Sequence, residues 1–274
     1  MDIQSYTEKN SKAIDMWVGN GWCWGIPISH EIFVKAQNGE WKVVLTPIKS
    51  VPKEWFAPYY KESKLNGVKL LGLASGGGQQ MPVFAALGAD CTILDYSDKQ
   101  LESEKIVSER EGYKINIVKA DMTKRLPFGD NNFDVIFHPV SNCYVEDVYH
   151  VWNECYRVLK PGGILIAGMG NSVGYLFNDD YGDENNQLFV VNKFPVNPIN
   201  DPEWRDKHSD LDDALEFSHT LEEQIGGQLK AGFILTDLYE DLDSGSLLSQ
   251  KYNFSEYICT RAVKPRLSRG ELVK

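Results

Sequence analysis

The residue pattern predicts an α/β fold, a mostly parallel sheet with helices on both faces. Three observations point to it. A short apolar run, Val68 to Leu73, passes directly into the triplet Gly76-Gly77-Gly78 and then into helical spacing. Strand-like and helix-like segments alternate from residue 68 to about 168. After a long polar break, two further strand-like runs close the chain. Alternation of this kind is what a parallel sheet covered on both faces requires.

The first strand is read from Val68, Leu70, Leu71 and Leu73, apolar on both faces as a buried parallel strand is. The glycines Gly76, Gly77 and Gly78 admit backbone angles closed to other residues and, having no Cβ, would let a ligand lie against the main chain. Gln79 to Leu87 then carries helical spacing, with Pro82 tolerable in the first turn and Gly88 placed to end the helix. Strand two, Cys91 to Leu94, ends at Asp95, and Ser97 with Gln100 makes a capping-box pattern for the following helix. Strand three is read at Ile115 to Lys119 and strand four at Phe133 to Phe137. Val145, Val148, Trp152, Cys155, Tyr156 and Leu159 recur at helical spacing before Pro161-Gly162-Gly163, expected to stop that helix, and Ile164 to Gly168 is strand five. Thr220 and Glu223 form a second capping box, with Ile225 and Leu229 as its apolar face and Gly232 as its end. Phe233 to Tyr239 and Tyr257 to Ala262 are the closing strands.

A glycine turn after strand one and an acid at the end of strand two is an arrangement that holds an adenosine-bearing cofactor. Asp95 lies 19 residues beyond Gly76, the separation at which such a carboxylate meets ribose hydroxyls. Because NAD, FAD and S-adenosylmethionine share this geometry, the glycine spacing has to choose among them. A dinucleotide fingerprint needs a third glycine where this chain has Met81, and no Gly-Lys-Ser/Thr follows the turn to make a Walker loop.

On these residues the chain resembles the class I S-adenosylmethionine-dependent methyltransferases. Ala74, Ser75, Gly76, Gly78 and Asp95 match that family's methionine-binding turn and ribose acid. Asp121, in IVKADM, matches the acid near the adenine; LPFGDNNFDVIF (126–137) and YRVLKPGGILIAG (156–168) match the fourth and fifth strands with their approaches. The blocks run in the expected order over residues 66 to 170. Gly72 stands where the family has an acid, and Ala74 where it has its first glycine. The resemblance implies a Rossmann-like seven-stranded sheet whose last two strands form an antiparallel pair at one edge. It also implies S-adenosyl-L-methionine held by Ala74, Ser75, Gly76, Gly77, Gly78, Asp95, Tyr96, Asp121 and Met122, with His138 beside the methyl group.

Two segments lie outside that framework. Residues 1–66 hold five of the seven tryptophans and read as a helical and irregular extension packed on the core of a methyltransferase domain spanning 67–274. Within that domain, about 170–219 forms a polar, Pro- and Asn-rich insertion after strand five, either a lid or a surface loop. Trp22 and Trp24 either line a substrate pocket or simply pack. The same choice stands for Asn142 and Tyr144, which face the acceptor or cap and pack the helix near Val145, while His219 is a weaker candidate. His138 is either a general base or a binding and packing residue. No catalytic residue is assigned, since in-line methyl transfer needs positioning more than a base.

Composition narrows the partners. A net charge of −11 and a pI near 5.0 argue against a sequence-independent hold on nucleic acid, and HPVS at 138–141 lacks the Pro-Pro motif of enzymes that methylate base amines. Five scattered cysteines have no metal spacing, so no metal is expected. With no apolar leader and no membrane-spanning run, a cytoplasmic protein without membrane contact is expected. The expected reaction is methyl transfer to O or N of a small-molecule acceptor. An NAD-dependent oxidoreductase and a non-catalytic S-adenosylmethionine-binding protein are the alternatives.

Overall fold

The computed structural model describes residues 6–177, 187–201, 203, 210 and 213–266. Seven strands form one sheet: β1 Lys69–Leu73, β2 Asp90–Asp95, β3 Asn116–Lys119, β4 Phe133–His138, β5 Leu159–Gly170, β6 Ile234–Asp241 and β7 Tyr257–Val263. Their spatial order is β3-β2-β1-β4-β5-β7-β6, and β7 runs antiparallel to both β5 and β6. The chain thus winds outward from β1 in one direction, returns to β4 on its other side, and continues away. That reversal between β1 and β4 leaves a crevice at the C-terminal edge of the sheet, where open α/β sheets bind ligands.

Alternation along each strand sends residues to two separate cores. Leu70, Cys91, Ile93, Val135, Phe137 and Ile166 face one side, where α3 (Gln80–Ala86) packs through Met81, Val83 and Phe84. Leu71, Leu73, Leu94, Ile136, Leu165 and Ala167 face the other, against Val151, Trp152 and Cys155 of α5 (Val148–Val158). Residues before β1 share the first core: Phe33 from α2 (His30–Gln37), then Trp41, Trp55 and Phe56, are buried with the sheet. Phe84 bridges Phe56 and Phe137, with ring centroids 5.4 and 5.1 Å away.

Three local expectations change. Helix α5 ends at Val158, before Pro161-Gly162-Gly163, because the fully buried Leu159 is already extended and paired with Phe133. The Pro-Gly-Gly segment is instead a kink inside β5, closed by Gly162 N–H donating to the Lys264 carbonyl at 2.7 Å. The Thr220/Glu223 capping box forms, with Thr220 N–H donating to Glu223 Oε2 at 2.7 Å and Glu223 N–H to Thr220 Oγ1 at 3.2 Å. A π-type turn, Glu222–Gly226, then precedes the short helix α6 (Gly227–Ala231) and rotates its face. Leu229 is therefore exposed, while Gln224, Gly227 and Gln228 turn inward. The Ser97/Gln100 box is half made: Ser97 Oγ accepts from Gln100 N–H at 3.1 Å, but Ser97 N–H donates to Asp95 Oδ1, so Gln100 Oε1 is left buried without a partner.

Candidate cofactor and acceptor site

A cavity of about 1030 Å3 occupies the crevice at the C-terminal ends of β1, β2 and β4. Its floor is built by the loops after these strands, contributing Ala74 to Gly76, Asp95 to Ser97 and Pro139 to Ser141, with Asp121 to Thr123 beyond β3. Helix α1 (Tyr6–Gly19) covers it with Asn10, Ser11 and Ile14, and Trp22 and Trp24 follow. Gly170 to Ser172, Tyr175, Phe217 and Tyr257 form the opposite wall.

The glycine turn is shaped by protein neighbours as much as by space for a ligand. A Cβ on Gly76 would stand 2.5 Å from Gln100 Cβ and 3.0 Å from Asp95 Oδ2. One on Gly77 would stand 2.2 Å from the Trp24 carbonyl oxygen, and one on Gly78 would stand 2.8 Å from that of Ser103. Gly77 and Gly78, at φ +96° and +68°, do not line the cavity; they let the Trp24 turn and α4 (Asp98–Glu111) close onto the loop. Gln79 Nε2 holds that turn by donating to the carbonyls of Cys23 and Ile26 at 2.7 and 3.0 Å. Ala74 is the unusual position. Instead of the ordinary backbone an alanine prefers, it adopts φ +47°, the left-handed region that favours the glycine usually found there.

Asp95 is the centre of the floor. Its Oδ2 accepts from Gly76 N–H at 3.1 Å and its Oδ1 from Ser97 N–H at 3.0 Å. Burial raises its pKa, and these backbone donors oppose the rise. A carboxylate has about four acceptor positions, so each oxygen keeps capacity toward the cavity. Tyr96 adjoins it, with Lys119 Nζ 5.9 Å from the ring centroid. Asp121 ends the next loop, where its Oδ1 accepts from Thr123 N–H at 2.8 Å, and Met122 lies between the cavity and the second core.

Besides Gly77 and Gly78, three expected site residues are placed elsewhere. His138 is 0% exposed and absent from the cavity lining. Its Nδ1 lies 2.8 Å from the Leu73 carbonyl oxygen and its Nε2 2.9 Å from Asn142 Oδ1, with the ring edge-on to Trp152. Burial lowers its pKa, outweighing both hydrogen bonds. Both nitrogens are occupied by the protein, and the ring does not open onto the cavity. Asn142 is likewise buried behind the wall, bonded to His138 and Gln224. His219 is also sealed off, with Nε2–H donating to the Asn142 carbonyl at 3.1 Å. Tyr144, Trp22 and Trp24 do line the cavity. Burial pushes the Tyr144 phenol well above its usual pKa, with Cys143 and Glu216 adding to the shift. Helix α5 is capped by Asp147, so neither Asn142 nor Tyr144 serves as its cap.

Comparison with known proteins agrees with this architecture. A family described as "Methyltransferase domain" matches residues 71–167. The "Uncharacterized methyltransferase YbaJ" of Bacillus subtilis (strain 168) is 45% identical over 260 residues, 93% of this chain and 97% of its own. The chain belongs to the class I S-adenosylmethionine-dependent methyltransferases. A solved S-adenosylmethionine-dependent methyltransferase from Mesorhizobium loti shares its fold, with TM-score 0.56 and 18% identity over 73% of this chain and 92% of that one. The sterol 24-C-methyltransferase erg6 of Aspergillus fumigatus is 31% identical over 122 residues, 43% of this chain and 31% of its own length.

The cofactor of this methyltransferase is accordingly S-adenosylmethionine. The nicotinamide alternative falls with the family, and the position of its missing third glycine, Met81, is fully buried core. No helix among the described residues is long and apolar enough to cross a membrane. Sequence reasoning did not find Asn10, Ser11 or Gln224 in the lining. Polar residues on an extension carry no periodic signal, and Gln224 reaches the cavity through a π-type turn that helical spacing does not anticipate.

Proposed function

We propose that this methyltransferase binds its cofactor along Ala74–Gly76, Asp95 and Asp121 and methylates an O or N atom of a small molecule held between α1, Tyr144 and the wall from Gly170 to Tyr175. The observation that supports it best is Asp95, which keeps acceptor capacity on both oxygens at the mouth of the reversed strands. Asp95 would receive the ribose hydroxyls, Tyr96 and Met122 would flank the adenine, and Asp121 would meet its amino group. Ser75 and Gly76 would meet the methionine portion. The bound cofactor supplies an electrophilic methyl group on a sulfonium. The chain supplies position and dryness: α1 and the Trp22–Trp24 segment exclude water, and the enclosed aromatic wall holds the acceptor in line. Near-attack geometry of this kind replaces several kcal/mol of barrier without covalent catalysis. A small-molecule acceptor suits a cavity of about 1030 Å3. The sterol enzyme's match spans less than half of this chain, so its carbon acceptor is a property of that protein.

The test is calorimetric titration of wild type and Asp95→Ala with S-adenosylmethionine, its demethylated product and NAD, followed by release of that product across an acceptor panel. Tight binding of the first two ligands, weakened at least about tenfold in the variant, is expected from loss of charge-assisted hydrogen bonds. NAD binding alone would overturn the reading, as would products methylated only on carbon.

A further inference from the structure

Behind the cavity wall a chain of polar side chains runs from the end of β1 to the acceptor side. His138 Nδ1 is 2.8 Å from the Leu73 carbonyl, His138 Nε2 is 2.9 Å from the Asn142 side-chain amide, and that amide is 3.0 Å from the Gln224 side-chain amide. Gln224 is 4% exposed and lines the cavity. Only one of its side-chain amide atoms is taken by Asn142; among the described residues the other has no hydrogen-bond partner, and it is not sealed in the interior.

Proton bookkeeping orients this chain. A carbonyl only accepts, so His138 Nδ1 carries the hydrogen. Burial without a nearby charge keeps the ring neutral, which leaves Nε2 as an acceptor. Asn142 must then turn its NH2 toward His138 and its oxygen toward Gln224. Gln224 in turn must give its NH2 to Asn142. Side-chain amides accommodate this by a half-turn that preserves shape. The atom left facing the cavity is the Gln224 carbonyl oxygen, a fixed acceptor.

The charge of the lining agrees with it. Among the described residues the cavity is lined by Asp95, Asp121, Asp213, Glu216 and Glu256 and by no Lys, Arg or His. Tyr144, Tyr175 and Tyr257 add aromatic faces, which favour cations. We infer that the acceptor is an amine, one of whose N–H groups is received by the Gln224 carbonyl oxygen. This rests on the cofactor-edge reading above. The amine enters as the ammonium ion that this lining attracts and gives one proton to solvent, and the electron pair so freed on nitrogen forms the new N–C bond. The pair of the broken S–C bond stays on sulfur, and the product remains as the methylated ammonium.

Two measurements test it. Nitrogen-15 NMR of His138 at pH 7 is expected to show the neutral Nδ1–H form in wild type. In Gln224→Glu both terminal oxygens must accept, so Asn142 reverses and His138 becomes doubly protonated. An imidazolium or an Nε2–H form in wild type would overturn the inference. In parallel, primary and secondary amines are to be compared with matched alcohols and carboxylates by release of demethylated cofactor. Amines are expected to be turned over, and Gln224→Leu should raise the amine KM about tenfold or more while cofactor affinity stays within about twofold, the loss of one hydrogen bond to a charged or polar ligand. A panel in which no amine serves overturns the inference. If hydroxyl acceptors are methylated while cofactor binding depends on Asp95, the inference fails and the broader proposal stands. If cofactor binding ignores Asp95, the broader proposal fails.

Discussion

Asn10 of α1 and Leu215 of the insertion exchange two hydrogen bonds: Asn10 Nδ2 donates to the Leu215 carbonyl at 3.0 Å, and Asn10 Oδ1 accepts from Leu215 N–H at 2.8 Å. Tyr6 and Phe217 pack edge to face beside them, with centroids 5.3 Å apart. Farther along α1, Ser11 Oγ donates to the Tyr96 carbonyl at 2.8 Å, and Asp15 Oδ1 accepts from Ser97 Oγ at 2.6 Å. One helix therefore clasps the loop after β2 and the insertion at once.

Breaking the clasp should affect retention more than folding. Asn10→Ala leaves a buried N–H and a buried carbonyl unpaired, which costs about 1–3 kcal/mol. The expected outcome is cofactor dissociation faster by about tenfold in stopped-flow fluorescence, read from the nearby tryptophans. An unchanged dissociation rate would mean that α1 does not gate the site.

Beneath the glycine turn, Glu104 Oε1 accepts from Gly78 N–H at 2.9 Å while Oε2 is buried without a partner. Burial raises the Glu104 pKa to about 8, although the Gly78 bond opposes the rise. The folded value lies above the unfolded one, so the folded state holds the extra proton between roughly pH 4.5 and 8. This contribution is fully present below the unfolded pKa and is lost as pH rises through the folded pKa, in total on the order of 5 kcal/mol. Glu104→Gln retains the acceptor for Gly78 without the titrating proton. Its melting temperature should fall less between pH 5 and 8 than that of wild type, and it should be the more stable protein at pH 8. Parallel melting curves across that window would refute the assignment.

Ala74 offers a stabilising change. A non-glycine residue at φ +47° stores about 1–2 kcal/mol, part of which glycine returns through its own entropy cost. Ala74→Gly is expected to raise stability in urea by roughly 0.5–1 kcal/mol with cofactor affinity retained. Ala74→Val, β-branched in the same backbone, should lose more than 1 kcal/mol.

Gly72 explains a departure from the family. A Cβ at this position would lie 2.5 Å from Met81 Sδ and 3.1 Å from Ile93 Cδ1, so the acid usual there has no room. Gly72→Ala should cost about 1–3 kcal/mol by overpacking, and Met81→Ala about 2–5 kcal/mol by cavity formation. The double variant should cost less than the sum, because each change makes space for or fills the other. Additive losses in a double-mutant cycle would remove Met81 as the cause.

The strands, the glycine turn and the acid at the end of β2 were legible because each is a local signal. Apolar runs mark buried strands, and a turn with positive φ favours glycine. Family membership and cofactor follow from the same signals, since their order along the chain is itself sequence information. What the chain by itself did not determine is which polar groups face the cavity. His138 is the last residue of β4, at the edge that carries the cavity, yet its ring turns inward because the Leu73 carbonyl and Asn142 satisfy both nitrogens there. Gln224 looks like a surface residue of a capped helix, yet the π-type turn carries it to the cavity, while Leu229 goes to solvent. Asn10 gains its role from a partner 205 residues away. Such choices are decided by hydrogen-bond pairing and packing between distant segments, and these come into being only when the sheet, the extension and the insertion close on one another.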